Sequence, residues 1–165
     1  MSNLINSWKQ LAQNVDSFFS ARASTLACSK GCSKCCETPR SVFGVEAEVI
    51  AQHIESLSPE DLAQLKTRLS VIQEKKLNHC AFLDEGNCLI YLARPLICRS
   101  HGLVHLTKEG HHHCELNYTN GVPPKNDWID EDRLNTLLAL LEKEYEKQAR
   151  FSVRVNLRDI ALAII

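Results

Sequence analysis

The sequence has no long apolar run. No stretch approaches the ~20 consecutive apolar residues that a membrane-spanning helix needs. The N-terminal segment Met1–Val15 has no uninterrupted apolar stretch of the kind that marks a secretory leader. Charge of one sign is also lacking. The 19 Lys and Arg oppose 20 Asp and Glu for a net charge of −1, which excludes a global basic field able to hold a nucleic-acid backbone. No internal repeat, low-complexity tract or βαβ pattern is present. No paired carboxylates and no nucleophile–base set stand out, so the sequence gives no ground for assigning catalysis. What is left is a chain expected to be cytoplasmic. Its 165 residues fit a single domain over 1–165, long enough to bury a core without disulfides.

Cysteine is what the sequence has in excess. There are eight, and Cys28, Cys32, Cys35 and Cys36 fall within one short run, followed by Cys80, Cys88, Cys98 and Cys114. In a reducing compartment such clustering favours metal binding over disulfides. A disulfide scaffold would require an exported, oxidised protein.

The remaining pattern is helical. Leu4, Ile5, Trp8, Leu11, Ala12, Val15, Phe18 and Phe19 recur at helix spacing and predict one apolar stripe that packs on a core. A helix is expected over about 45–57. Another starts at Ser58-Pro59-Glu60-Asp61, where Ser58 caps, Pro59 suits the first helical position and Asp61 favours the dipole. These two read as an antiparallel pair. Asp84-Glu85-Gly86-Asn87 reads as a turn bringing Cys80 and Cys88 near each other, and Arg94-Pro95 breaks any helix there. Leu103–Leu106 and His111–Glu115 flank a turn ending in Gly110, which predicts a hairpin that folds Cys114 back toward Cys98. A long helix is expected from about Trp128 to Arg150 with Leu134, Leu137, Leu138, Leu141 and Tyr145 on one face, then a short helix capped by Asn156. The fold class expected is mainly α: an irregular helical single domain with two cysteine-rich metal-binding loops and one small β-hairpin. Its motif core spans about 28–115, between flanking helices over 3–27 and 128–150.

Thiolates bind soft and borderline metals strongly because sulfur is charged and polarisable. Close spacing lowers the closure entropy of each further ligand. Adjacent Cys35 and Cys36 diverge in extended backbone, so one ion can take one of them and leave the other for a second ion or a structural role. A tetrathiolate zinc site carries a formal charge of about −2. Lys30, Lys34 and Arg40 near the first cluster, and Arg94 and Arg99 near the second, are the expected offsets.

Two segments carry a resemblance. Cys28-x3-Cys32-x2-Cys35-Cys36, and Cys80-Ala-Phe-Leu followed by Cys88-x2-Tyr91-x2-Arg94-Pro95-x2-Cys98-Arg99, resemble the YkgJ-type (CxxCxxCC) cysteine-cluster family, described as zinc- or iron-chelating. The chain departs from the family name in having three residues between Cys28 and Cys32, which Gly31 is placed to absorb. It also carries Ala81 where relatives often have proline. The resemblance implies metal binding and no established reaction.

The candidate metal ligands are therefore Cys28, Cys32, Cys35, Cys36, Cys80, Cys88, Cys98 and Cys114, for zinc or iron, with a 4Fe-4S cluster as the alternative. The preferred arrangement puts the first four near one centre and the second four at or beside it. The alternative is one mixed centre that Cys98 completes. The function expected is metal handling, sensing or structural stabilisation; the runner-up is an iron–sulfur oxidoreductase or electron carrier. The Cys28-x3-Cys32-x2-Cys35 spacing also matches radical-SAM iron–sulfur ligands, but that chemistry needs a barrel of many strands. Among the histidines, His101 is placed to join a Cys3His site, and His105 faces the His111–His113 run across the hairpin, where Zn²⁺, Ni²⁺ or Cu²⁺ would bind weakly. The simplest reading leaves these as exposed histidines. The expected partner is the metal ion, with a protein partner left open and neither nucleic acid nor membrane expected.

Overall fold

The structure, a computed structural model, describes residues 1–28, 31–75 and 78–164. Its helices are α1 (Ser2–Ser20), α2 (Gly44–Glu55), α3 (Pro59–Glu74), α4 (Leu96–Ser100), α5 (Glu131–Tyr145) and α6 (Leu157–Ile164). Its strands are β1 (Ser41–Phe43), β2 (Leu83–Asp84), β3 (Asn87–Cys88), β4 (Val104–Thr107), β5 (Gly110–His112), β6 (Trp128–Asp130) and β7 (Arg154–Asn156). The fold is mainly α, as expected. One apolar cluster draws side chains from all six helices. No described helix is long and apolar enough to cross a membrane.

The first helix forms for the reason its spacing gives: Ile5, Trp8, Ala12 and Val15 are its buried stripe. It stops at Ser20, and a one-turn 3-10 helix at Ala23–Thr25 follows, so the helix expected over 3–27 is shorter. Ser58 caps α3 as expected: the Asp61 N–H donates to its Oγ at 3.1 Å, and Pro59 is the first helical residue.

The α2–α3 antiparallel pair does not describe the packing. α2 packs chiefly on α6, α5 and α1. It is the central helix, buried from Gly44 through Ala51, whereas α3 turns only the stripe Leu65, Leu69 and Ile72 inward. Two buried carboxylates serve α2. Glu46 accepts from the Leu96 N–H at 2.8 Å and the Phe43 N–H at 3.3 Å, tying the N-terminus of α2 to that of α4. Glu142 of α5 accepts from the Val45 N–H at 2.8 Å. Each satisfies orphan donors at a helix N-terminus. Gly44 permits this approach, since a Cβ there would lie 2.7 Å from Glu142 Oε1 and 2.8 Å from the Ser152 carbonyl oxygen.

Two corrections concern the C-terminal third. Trp128–Asp130 is a strand, not helix. It pairs in parallel with β4 (Val104 opposite Trp128, His105 opposite Ile129), and the Asp130 side chain then caps α5 by accepting from the Arg133 N–H at 2.8 Å. At the other end the Tyr145 hydroxyl accepts from Arg150 and Phe151 N–H groups at 3.0 and 3.2 Å, turning the chain where the helix was expected to continue to Arg150. Leu137 is not on the buried face: it is 39% exposed, while Leu134, Leu138 and Tyr145 are buried and Glu142 takes the remaining inward position.

The expected hairpin is present, with His105 opposite His112 and Thr107 opposite Gly110. β6 extends it to the three-stranded order β5-β4-β6. Of two further small sheets, β2 with β3 is the hairpin closed by the expected Asp84–Asn87 turn, whereas β1 with β7 joins remote three-residue strands that carry no sequence signal.

Candidate metal centre

The cysteine-bearing loops meet through backbone contacts. In the first, Gly31 takes φ of +91° and a 3-10 turn over Lys34–Glu37 carries Cys35 and Cys36. In the second, β2 and β3 form a tight hairpin with Asp84 opposite Asn87 and Leu83 opposite Cys88; both turn residues, Glu85 and Gly86, have positive φ. That turn lies against the first loop, since a Cβ on Gly86 would be 3.4 Å from the Gly31 carbonyl oxygen. The Cys80 N–H donates to the Cys36 carbonyl at 2.8 Å. Pro95 stops the chain from continuing as helix and starts α4, which holds Cys98.

Seven of the eight thiols, all but Cys80, line one open cleft of about 1380 Å³ between α1, α2 and the two loops. Cys80 joins them through Cys36. All eight are free thiols, so none is spent in a disulfide.

The thiols form one connected set, with Cys28 and Cys114 at one end, Cys80, Cys88 and Cys98 at the other, and Cys35 and Cys36 between. Cys28 feels the charges of Cys114, Cys32 and Cys35. Cys36 is in contact with Cys35 on one side and Cys80 on the other, and Cys88 is close. Cys80 feels Cys36, Cys98 and Cys88; Cys98 feels Cys35, Cys36 and Cys88. Cys114 thus sits with Cys28, not with Cys98 as the hairpin geometry suggested. The reason lies at Gly102, whose φ of +104° redirects the chain between α4 and the hairpin. The Cys28 side chain packs directly on Gly102, where a Cβ would come within 2.6 Å of the sulfur.

Five of the thiols, Cys28, Cys35, Cys36, Cys88 and Cys98, have surroundings that favour the protonated form until a cation displaces the proton. Burial pushes the Cys28, Cys88 and Cys98 thiols up, Cys98 to about 12. Cys35 is pushed up by donating to Cys36, then by burial. Cys36 is lowered by Cys35 but raised more by donating to Cys80 and by burial, to about 11. Cys80 alone moves down, chiefly through the hydrogen bond from Cys36. A divalent ion supplies the missing positive charge and deprotonates coordinating thiols outright.

Donors to sulfur are already in place. The backbone N–H two residues on points at the sulfur of Cys80 (from Phe82) and of Cys88 (from Ile90), an arrangement that stabilises thiolate ligands. Arg40 favours the thiolate of Cys35, and Arg94 that of Cys88. Lys34 is instead paired with Glu37 at the surface, 3.0 Å away, and Lys30 lies outside the described residues. Arg99, itself buried, pairs with the exposed Asp16 of α1 and donates to the carbonyls of Arg94 and Leu92, fixing the segment that bears Cys98.

Sequence reasoning missed Asn117. It is buried. Its Nδ2 donates to the Gly102 carbonyl at 2.8 Å and to Cys28 Sγ at 3.4 Å, while Oδ1 accepts from the Ala27 N–H at 2.6 Å. An asparagine in a loop carries no sequence signal for such a role. The donor set, with its N–H groups and guanidiniums, fits a thiophilic cation.

His101 is half-buried, and burial lowers its imidazole.

No curated protein and no solved structure matches the chain. A family model described as "CxxCxxCC: Putative zinc- or iron-chelating domain" matches residues 27–118. That range covers more than half of the 165 residues and all eight cysteines. The chain belongs to the CxxCxxCC family of zinc- or iron-chelating domains.

Proposed function

We propose that the protein binds two zinc or iron(II) ions, each in its own tetrathiolate site. Cys28, Cys32, Cys35 and Cys114 form one site, and Cys36, Cys80, Cys88 and Cys98 the other. The observation that carries this reading is that Cys28 neighbours Cys114, Cys32 and Cys35, whereas Cys80 neighbours Cys36, Cys88 and Cys98; Cys35, which contacts Cys36 and is felt by Cys98, lies where the two groups meet. This division replaces the arrangement expected from sequence, in which Cys28–Cys36 share a centre.

The two sites differ in access. Cys32 is exposed at the cleft, whereas Cys80 and Cys88 pack on the apolar core. The first site is an exchangeable one suited to holding or delivering metal. The second ties two loops to the core and is structural.

Anaerobic purification with elemental analysis and absorption spectroscopy tests the reading. The expected result is two metal equivalents per chain, without the visible absorption of an iron–sulfur cluster. Cys32→Ser should remove one equivalent with little change in melting temperature, and Cys98→Ser should remove one and lower it. Visible charge-transfer bands with acid-labile sulfide would instead favour an iron–sulfur electron carrier. Unchanged metal content in both variants would defeat the assignment.

A further inference from the structure

The histidine-bearing hairpin gathers donors of a different kind. Pairing of β4 with β5 sets His105 opposite His112, and their rings stack with centroids 5.1 Å apart. Parallel pairing of β4 with β6 brings the start of α5 against the same hairpin. There Glu131 Oε2 lies 2.9 Å from His105 Nδ1 and 2.8 Å from His112 Nε2. One nitrogen from each histidine and one carboxylate oxygen thus lie within 4.8 Å of one another.

The hydrogen-bond inventory around His105 is informative. Its side chain is 4% exposed, and its Nε2 lies 3.0 Å from the Ser100 carbonyl oxygen. A carbonyl only accepts, so Nε2 carries a hydrogen. In neutral imidazole Nδ1 is then a bare lone pair, yet it faces a carboxylate oxygen at hydrogen-bond distance. Two acceptors meet there only with a proton or a metal ion between them. Metal-ligating histidines almost always donate their other ring N–H to a carbonyl or carboxylate, which fixes the tautomer. The His105–Ser100 pair already provides that feature.

We propose that His105 Nδ1, His112 Nε2 and the Glu131 carboxylate form a divalent-metal site of nitrogen and oxygen donors, separate from the thiols. Imidazole and carboxylate suit Zn²⁺, Ni²⁺, Co²⁺ and Fe²⁺, and three protein ligands leave a position open for water or a small ligand. Ligands about 2.0–2.1 Å from a tetrahedral ion stand about 3.3 Å apart. The two contacts to Glu131 therefore open by about half an ångström, within reach of a glutamate side chain. His112, 59% exposed on its side chain, gives the ion a way in. The cavity beside His105 and Glu131 is lined by none of the cysteines. The other two histidines of the run are engaged elsewhere. His111 packs on Trp128 at 4.6 Å, and His113 meets Tyr118 edge-on with its Nδ1 at the Cys114 carbonyl.

Cobalt titration of the full chain, its thiols first loaded with two equivalents of zinc, tests the site. Co²⁺ binds more weakly than Zn²⁺ to a given site, so it leaves thiolate-bound zinc in place. The expected result is one Co²⁺ per chain with weak d–d bands and no sulfur-to-cobalt charge transfer. His112→Ala and Glu131→Gln should each weaken binding at least about tenfold, and His111→Ala should leave it unchanged. His112 and His111 are exposed, so both variants fold. Absence of cobalt binding overturns the proposal. So does a charge-transfer spectrum, or an equal loss in His111→Ala, which marks an unspecific histidine tract. Zinc content is counted before cobalt is added, so failure of the thiolate reading shows separately.

Discussion

Asn117→Ala is the perturbation that most directly connects fold to site. The native side chain holds three groups: the Ala27 N–H, the Gly102 carbonyl and the Cys28 sulfur. Alanine removes all three contacts and leaves the buried Gly102 carbonyl without this partner. An abandoned buried polar group costs about 1–3 kcal/mol. The part-buried Ala27 N–H adds less, because water reaches it, so the loss comes to about 2–4 kcal/mol. For a chain of this length each kcal/mol lowers the melting temperature by about 2–4 °C, which predicts a fall of roughly 5–15 °C. Loss of the N–H···S bond should also weaken metal binding at the Cys28 site by about 10–100-fold, the usual cost of removing a group that supports a ligand. Asn117→Asp separates the two halves. It keeps an acceptor for Ala27 but sets a carboxylate against a carbonyl and a thiolate, so it should lose more metal affinity than Asn117→Ala. Thermal unfolding of the metal-loaded protein and competition with a chromophoric chelator read both quantities. An unchanged melting temperature in Asn117→Ala, or an aspartate variant that binds metal as well as the native chain, would refute the reasoning.

Two further predictions rest on burial and on protons. Leu138→Asp should cost about 3–5 kcal/mol through lost packing and a buried charge, since Leu138 is 4% exposed. Leu137→Asp, one position earlier and exposed, should stay within about 0.5 kcal/mol; denaturant titrations that rank them the other way would show α5 rotated from its described face. Metal binding near neutral pH should release at least about three protons at the Cys36–Cys80–Cys88–Cys98 site, because burial and thiol–thiol contacts hold Cys36 at about 11 and Cys98 at about 12 and keep Cys88 raised, while Cys80 is lowered. Calorimetry in buffers of different ionisation enthalpy counts them, and release of fewer than two would contradict the assignment. The metal-free chain should respond to pH with the opposite sign. Thiols raised above the ordinary 9.0 contribute stability that is complete below about 9 and lost as pH rises toward 11–12. The metal-loaded chain should instead destabilise as pH falls and protons displace the ion.

Much of this was legible in sequence where a local rule decides the outcome. The α1 stripe, the Ser58-Pro59 cap, the break at Pro95 and the turn at Gly110 each depend on neighbours within one helical turn or one hairpin. The clustering of cysteines announced the chemistry. What sequence could not reveal depends on contacts between remote segments. Trp128–Asp130 looks helical by its neighbours but is recruited as a strand by β4. Leu137 yields its place on the buried face to Glu142, whose carboxylate is held by the Val45 N–H across the core. The partition of the thiols turns on Gly102, Cys28 and Asn117, which lie far apart in the chain, and spacing does not encode it.

The distribution of the core says what metal loss should do. Between Val15 of α1 and Val42 of β1 no described residue belongs to the fully buried apolar cluster. That interval contains Cys28, Cys32, Cys35 and Cys36, and between the end of α1 at Ser20 and the start of β1 at Ser41 its described regular structure is two one-turn 3-10 helices. Such a segment has little apolar burial to offset its ordering entropy. Its described anchors to the rest of the chain are mostly single polar contacts: Cys36 to Cys80, Asn117 to Ala27 and Cys28, Arg22 to Asp127 and Asn126, and the Arg40 carbonyl to the Leu157 N–H. The second cysteine segment differs, because Phe82, Ile90, Ala93 and Leu96 are core residues interleaved with Cys80, Cys88 and Cys98. Chelation should therefore act locally. Amide hydrogen exchange over about 20–41 should accelerate by orders of magnitude, while α2, α5 and α6 keep their protection. The segment around Cys80–Cys98 should show an intermediate change, since its apolar residues persist when the ion leaves. Uniform acceleration across the chain would mean that metal supports the whole core, and no acceleration at 20–41 would mean that this loop is ordered without it.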